Sequence, residues 1–421
     1  MIIACPHCAA IQTMPTPSAR GSLHCRRCTE VLERTTGRSL NGALACALTT
    51  LILLFAADTM TILTVRASGG LVAKTHLFSG CVTIWQQGWP LLAVVLALQG
   101  VILPYLRFGL LAAALLAVRA GASGSWSGPW VGRGFRWAQQ LDDWAMPDVF
   151  LLGAAIGYGR VVALIPVEID AGGYALIAAG FMTMLTRATL DQQAVWRRIA
   201  APPLRAEPHA IACTSCNLVL PGRLDGGRCP RCAARLHRRK PFAVMRAAAL
   251  IAAGYLLLPV ANLFPMSTLY KFDIAYPHTI FAGIQLLFEN GYAPFGVLIF
   301  CTSIAFPLAK LIGMTWCFIS IQAGSHRRLR TKTRFFLVID ELGRWSNLDP
   351  FTLAIFVPMV QFGQIAHIGV GGGASAFLAV IITSMFAARL FDPRLLWDAA
   401  ETSPAPAALS APPSLAPSRL A

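Results

Sequence analysis

The sequence predicts an all-α polytopic membrane protein built as two tandem repeats, each a small cysteine-rich zinc-ribbon followed by about four transmembrane helices. Three observations carry that prediction. Of 421 residues, 56% are apolar and only 13% charged, with a mean hydropathy of +0.60. A soluble domain carries about a quarter charged residues, so most of this surface must face lipid. Eight apolar stretches approach the ~20 residues that cross the hydrocarbon. Eight of the twelve cysteines form four Cys-x-x-Cys pairs, two ahead of each set of four stretches.

In chain order the stretches are roughly 40–65, 90–118, 147–166, 172–189, 243–266, 293–320, 350–369 and 372–391. The third and fourth are separated by little more than Glu168-Ile169-Asp170, and the seventh and eighth meet at Gly371-Gly372-Gly373. Both pairs therefore read as tight helical hairpins. The units that follow are a ribbon over 1–38, a four-helix membrane unit over 39–195, a second ribbon over 205–240 and a second membrane unit over 241–398. The tail 399–421 is mostly Ala, Pro and Ser and is expected to be disordered, having too little to bury. The first residues, Met-Ile-Ile-Ala-Cys-Pro-His-Cys, are a metal-ligand pattern and not the basic start of a cleavable signal peptide, so insertion is expected to use internal spans.

The net charge of +16 is gathered into clusters. Arg119, Arg133 and Arg136 follow the second stretch, a basic run from Arg197 to Lys240 follows the fourth, and Arg327, Arg328, Arg330, Lys332, Arg334 and Arg344 follow the sixth. The alternate loops are poor in Lys and Arg. The positive-inside rule then places both termini and both ribbons in the cytoplasm. This distribution is that of a membrane protein and not of a nucleic-acid binder, so no nucleic acid partner is expected.

The repeat is read from landmarks. Trp144-Ala-Met-Pro-Asp148-Val-Phe150 recurs 201 residues later as Trp345-Ser-Asn-Leu-Asp349-Pro-Phe351, and Asp191 and Trp196 map at the same offset onto Asp392 and Trp397. Gly80, Gly88 and Pro104 map at offset 203 onto Gly283, Gly291 and Pro307, which sets Arg107 opposite Lys310. An even number of spans per copy makes this a parallel repeat.

Cys5, Cys8, Cys25 and Cys28 form one ligand set; Cys213, Cys216, Cys229 and Cys232 form the other. Four thiolates without imidazole suit a closed, structural Zn²⁺ site, with the 16 or 12 intervening residues expected to form a short β-ribbon. His7 and His24 would be fifth partners and are left out. A membrane redox protein with iron in the same four-cysteine sites is the competing reading. Cys46, Cys81, Cys301 and Cys317 lie singly in or near apolar stretches and read as small buried residues.

Lys310 lies well inside the sixth stretch, where a lysine costs about 2.5–3.5 kcal/mol to insert, so it is expected to face protein or water. Snorkelling to the interface is the alternative. Ser303 shares its helix face two turns away. Asp349 precedes Pro350 as an N-cap candidate and also offers itself as counter-ion to Lys310. Ser346, Asn347, Thr383 and Ser384 complete a polar cluster or glue helices. The first half has Gly100 and Ala145 where the second has Ser303 and Ser346, so the working site is expected in the second half, with Arg107 as the first-half counterpart of Lys310. Arg160, Gln361, Gln364 and His367 are further polar residues within stretches. Pro104, Pro307 and Pro358 suggest bent helices bounding a cleft. No nucleotide-binding loop, Gly-x-Ser-x-Gly or His-Glu-x-x-His is present, so no enzyme is expected.

Cys229-Pro-Arg-Cys232, Ala261-Asn-Leu-Phe-Pro265, Phe306-Pro-Leu-Ala-Lys310-Leu, Arg344-Trp-Ser-x-Leu-Asp349 and Phe391-Asp-Pro-Arg-Leu-Leu-Trp-Asp398 resemble the paraquat-inducible protein A family over about residues 1–400. The motifs are sharper in the second half; in the first, Asp58 stands where Asn262 stands in the second. The resemblance implies an inner-membrane protein of double-membraned bacteria that moves phospholipids to or from a periplasmic MCE-domain tunnel protein. A passive anchor for that partner is the alternative within the resemblance.

Overall fold

The computed structural model describes residues 2–13, 22–34, 38–67, 71–121, 128–162, 166–199, 210–272, 274–289, 291, 293–325, 327–362 and 365–402. In the first ribbon β1 (Ile2–Ala4) pairs with β2 (Ile11–Thr13), and β3 (Ser22–His24) with β4 (Val31–Arg34), all antiparallel. Each cysteine pair thus sits at the tip of its own hairpin, instead of flanking a shared one as the spacing suggested.

The first membrane half runs α1 (Leu40–Thr59), β5 (Leu63–Ala67), β6 (Leu71–Thr75), α2 (Ser79–Gln86), α3 (Pro90–Ala97), a π turn over Leu98–Ile102, α4 (Leu103–Arg119), α5 (Gly128–Gln140), α6 (Pro147–Val162), β7 (Val167–Ile169), α7 (Ala171–Thr189) and α8 (Gln192–Arg198). The second ribbon carries β8 (Ile211–Ala212) and β9 (Val219–Leu220). The second half repeats the order without omission. It has α9 (Ala243–Leu263), β10 (Ser267–Lys271), β11 (Ile274–His278), α10 (Ile280–Glu289), α11 (Ala293–Phe300), a π turn over Cys301–Ala305, α12 (Phe306–Gln322), α13 (Leu329–Trp345), α14 (Leu348–Met359), β12 (Ala366–Val370), α15 (Gly372–Leu390) and α16 (Leu395–Thr402).

Among the described residues five helices are long and apolar enough to cross a membrane: α1, Pro90–Arg119, α9, Ala293–Gln322 and α15. The candidates 147–166 and 350–369 are shorter helices, α6 and α14, whose apolar runs continue into strands. Pro166 disfavours helix at the residue before it, and His367-Ile-Gly-Val-Gly371 mixes β-branched residues with glycine. The strands β7 and β12 then pair with β5 and β10, closing two equivalent three-stranded sheets. The supposed tight helical hairpins are therefore strand-linked. The two long broken helices have a local cause as well. Pro104 and Pro307 have no N–H for the carbonyls of Gly100 and Ser303 four residues back. The ladder widens by one residue, and Leu103 and Phe306 donate to Leu98 and Cys301.

The halves face each other through α6 and α14. Repeat-related residues touch across this seam: Phe150 meets Phe351 edge-on at 5.2 Å, and Asn347 Nδ2 lies 3.5 Å from Met146 Sδ. Such self-pairing marks a pseudo-two-fold axis. Gly153 makes the approach possible, because a Cβ there would sit 3.0 Å from the Thr352 backbone nitrogen.

The ribbons are exchanged between the halves. In the first ribbon Arg27 stacks over Trp397 of α16 at 4.7 Å, and the guanidiniums of Arg330 and Arg334 on α13 donate to the Arg27 carbonyl and Thr29 Oγ1, both at 2.8 Å. The second ribbon packs Cys229 and Cys232 into the core of the first half with Val131, Phe135 and Trp196. There Gly132 lies so close that a Cβ would fall 2.0 Å from the Arg231 carbonyl oxygen. Arg27 and Arg231 are repeat equivalents, as are Trp397 and Trp196. Each ribbon thus makes the same contact, on the other repeat's helices. The expected tail 399–421 is corrected at its start, since residues up to Thr402 form the end of α16; 403–421, residues 205–209, Gln364 and the Arg160 side chain lie outside the described residues.

Candidate functional site

Two kinds of site are built on this frame. The first is the pair of cysteine cages. In all four Cys-x-x-Cys turns the first cysteine's N–H donates to the carbonyl five residues on, and its carbonyl accepts from the N–H four residues on. The residue after the second cysteine is left-handed each time: Ala9, Thr29, Asn217 and Ala233. That shared knuckle turns both sulfurs inward. The four Sγ atoms of each set are buried and lie within 4.8 Å of one another, with nearest cross-knuckle distances of 3.5 Å in the first cage and 3.5 and 3.6 Å in the second. A tetrahedron of ~2.3 Å metal–sulfur bonds has edges of about 3.8 Å, so each set fits a metal ion of that size. His7 and His24 are outside both sets. Cys46, Cys81, Cys301 and Cys317 form no disulfide; Cys81 and Cys317 are buried and the other two partly so.

The second site is the polar cluster, which the structure divides. Ser303 stands in the π turn before α12, and its hydroxyl donates to the Asp349 carboxylate. Asp349 is in the first turn of α14 and is not its cap. Asn347 holds that place but makes no capping bond, its amide lying against the sulfurs of Met146 and Met385. Ser303 and Asp349 are buried, and Asp349 forms the floor of a small cleft, of about 60 Å³, between α10, β10, β11 and α14. Its other walls include Ser267, His278, Thr279, Ile280 and Gly283.

Lys310 is 2% exposed, so it does not snorkel. The carboxylates that line its pocket are Asp340 and, across the seam, Asp143, in place of the expected Asp349. The amine packs on Gly343 of α13, in a pocket it shares with Glu341, Arg344 and Arg389. Thr383 and Ser384 hydrogen-bond carbonyls of their own helix, at 2.8 and 2.9 Å, and so fasten that helix instead of completing the cluster. The Ser346 hydroxyl is buried without a partner among the described residues. Gln361 donates to Val357 and Ile368 carbonyls, and His367 stacks on Tyr270 in the sheet.

In the first half the same positions are occupied by paired charges. Arg107 pairs with Asp142, and Arg187 links Asp142 at 2.9 Å to Asp148, the repeat equivalent of Asp349. Burial pushes the Asp142 carboxyl up, but Arg107 and Arg187 together hold it below its ordinary value. The second half has Gly343 where Asp142 stands, which is why Lys310 has room where Arg107 has an adjacent carboxylate. Asp142, Asp143, Arg187 and Asp340 escaped the sequence reading. Their rarity in a chain with so few charges was the available signal.

The comparisons agree with this architecture. The family model described as Paraquat-inducible protein A matches residues 40–200 and 244–401, the two membrane halves. The chain is 29% identical to the Lipophilic envelope-spanning tunnel protein A of Escherichia coli K12, over 94% of this chain and 91% of that protein. It is 30% identical to the Intermembrane transport protein PqiA of the same strain, over 62% of this chain and 64% of that one. It is 23% identical to a Probable intermembrane transport protein of Haemophilus influenzae, over 94% and 95%. No solved structure matches. With both halves matched, each behind its own four-cysteine ribbon, this multi-pass membrane protein belongs to the paraquat-inducible protein A family.

Proposed function

We propose that this protein is the inner-membrane component of a lipid transport system, passing phospholipid-like molecules between the membrane and a periplasmic MCE-domain tunnel protein. The observation that carries the reading is a cleft in the second half, between α10 and α14, lined by Asp349. At Gly80 a Cβ would fall 1.7 Å from the Ala354 carbonyl oxygen, because α2 is pressed onto α14. At its repeat equivalent Gly283 there is nothing within 4 Å. The second half keeps an opening beside α10 with an apolar rim of Met266, Ile280 and Leu353 and, at its floor, Asp349, which accepts from Ser303. An apolar rim over a hydrogen-bonding floor suits acyl chains and a polar head group.

The names of the relatives, an envelope-spanning tunnel protein and intermembrane transport proteins, support the direction of this reading. The loop charges support ribbons and termini in the cytoplasm, which puts the cleft on the periplasmic side. Zn²⁺ is the metal that best suits two closed all-thiolate cages; it would brace the ribbons and supply no reaction. The working units are a ribbon over 1–38 with membrane unit 39–195, and a ribbon over 205–240 with membrane unit 241–398. Lys310 acts from the ribbon side, in a pocket that it shares with Asp340 of its own half and Asp143 of the other.

A photo-crosslinking side chain at Gly283 is expected to capture phospholipid in native membranes, and Asp349→Asn to reduce that capture at least tenfold. Lys310→Ala and Gly343→Asp are expected to abolish lipid transfer with metal content and folding unchanged, the first by removing the amine and the second by locking it into an ion pair of first-half type. Wild-type transfer in both variants, with no lipid captured at position 283, would leave only a membrane anchor.

A further inference from the structure

The first half carries a second cavity, of about 150 Å³, between α4, α5 and α7 of that half and α13 of the other. It lies at the ribbon-facing end of the bundle, level with the last turn of α7 and the first turn of α6. Arg107, Arg187 and Arg344 line it, with Gln139, Asp142 and Glu341.

Arg107 is 3% exposed, yet only Nη2 has an acceptor, in Asp142; Nε and Nη1 are buried without a partner. Arg344 comes from the opposite repeat. It pairs with Glu341 through Nη2, and its Nε is buried and equally unpartnered. An unmet buried donor is costly, and an unmet guanidinium more so. Three guanidiniums, Arg107, Arg187 and Arg344, meet three carboxylates, Asp142, Asp148 and Glu341, yet these pairs leave Arg107 Nε and Nη1 and Arg344 Nε without an acceptor among the described residues.

We propose that this cavity binds a phosphate group, bridging Arg107 of the first half and Arg344 of the second. Guanidinium forks take phosphate oxygens in pairs, and a tetrahedral anion has enough acceptors to serve donors from two helices. The depth, at the end of the membrane-spanning helices, is that of lipid head groups in the leaflet next to the ribbons. The source is either an anionic phospholipid or free phosphate. The site is separate from the Asp349 cleft and does not depend on transport through it.

Full-length protein in nanodiscs of phosphatidylcholine, with and without phosphatidylglycerol, distinguishes the sources. Native mass spectra are expected to retain phosphatidylglycerol on the wild type and to lose it at least tenfold in Arg344→Gln and in Arg107→Lys, which keeps the charge but not the fork. If free phosphate is the occupant, millimolar inorganic phosphate will raise the melting temperature of the wild type above chloride at equal ionic strength, and Arg344→Gln will abolish the rise. Should neither probe bind above its control, or should Arg344→Gln bind like wild type, the assignment fails. Arg344→Gln leaves the Arg107–Asp142–Arg187 network intact, so the test survives if Arg107→Lys does not fold.

Discussion

The two halves share every element in the same order, yet they surround the same polar positions differently. In the first, Arg107, Asp142, Arg187 and Asp148 form one continuous ion network. In the second, the corresponding amine packs on a glycine, and the corresponding carboxylate accepts from a serine hydroxyl. The closed glycine of α2 and the open glycine of α10 repeat the contrast on the opposite side of the membrane. Duplication lets two copies of one frame carry different polar groups at the same positions.

The largest effect expected concerns the exchanged ribbons. Structural zinc sites contribute on the order of 10 kcal/mol to the fold they hold. Cys28→Ser and Cys232→Ser should each lower bound metal by about half. Because the first ribbon rests on α13 and α16, and the second on α5 and α8, Cys28→Ser should raise hydrogen exchange in the second half and Cys232→Ser in the first. Loosening of each ribbon's own half instead would break the exchanged arrangement.

Next come the equivalent aspartates after the last long helices. Asp392 is buried and holds Arg394 through Nε at 2.8 Å and Nη2 at 2.7 Å; Asp191 caps α8 by accepting from the Ala194 N–H at 3.0 Å. Removing one member of a buried ion pair costs about 3–5 kcal/mol and a cap about 1, so Asp392→Asn should destabilise far more than Asp191→Asn. Burial raises the Asp392 carboxyl, but the Arg394 fork outweighs it and leaves the group below its ordinary value. A depressed carboxylate stabilises above its unfolded value of ~4 and loses that contribution as pH falls through the folded value. Asp392→Asn should therefore flatten the acid limb of a stability profile below about pH 4.

A smaller contrast lies in the paired glycines. Gly80→Ala forces α14 backbone aside and should cost about 1–3 kcal/mol. Gly283→Ala meets empty space on a helix and should be neutral or stabilise by up to about 1 kcal/mol. Equal costs, read from thermal unfolding in detergent, would mean that α10 closes on the bundle as α2 does.

That contrast also shows where sequence reading stops. The repeat, the cysteine cages and the long helices were legible because each depends on spacing within a few tens of residues. Gly80 and Gly283 are the same residue at the same repeat position; what separates them is that α2 packs closely on α14 of the other half while Gly283 of α10 meets nothing within 4 Å, and spacing carries no trace of that. Lys310 was singled out correctly as buried, but its neighbours could not be read. Asp340 comes from α13 and Asp143 from the other half, whereas the carboxylate that the sequence pattern offered, Asp349, accepts from Ser303. The strands were hidden for another reason. An apolar helix and an apolar strand next to it form one hydropathic run, and only Pro166 and the glycines after His367 mark the change.

The smallest effect separates two ways of fastening the same sheet corner. In the first half Arg66 reaches Glu168 across the β5–β7 pair at 3.0 Å, with both side chains more than half exposed. At the equivalent corner of the second half Tyr270 stacks on His367, centroids 4.6 Å apart and planes within 9°. An exposed ion pair contributes about 0.2–1 kcal/mol and is screened by salt, since the Debye length falls to ~3 Å at 1 M. A ring stack contributes about 0.5–1.5 kcal/mol through dispersion and area, which salt does not screen. Glu168→Gln should therefore lower stability slightly in dilute buffer and not at all in about 1 M salt. His367→Ala should lower it by a similar or somewhat larger amount in both. If instead the His367→Ala penalty vanishes in salt, the second corner is held by charge, and the two halves share one fastening physics after all.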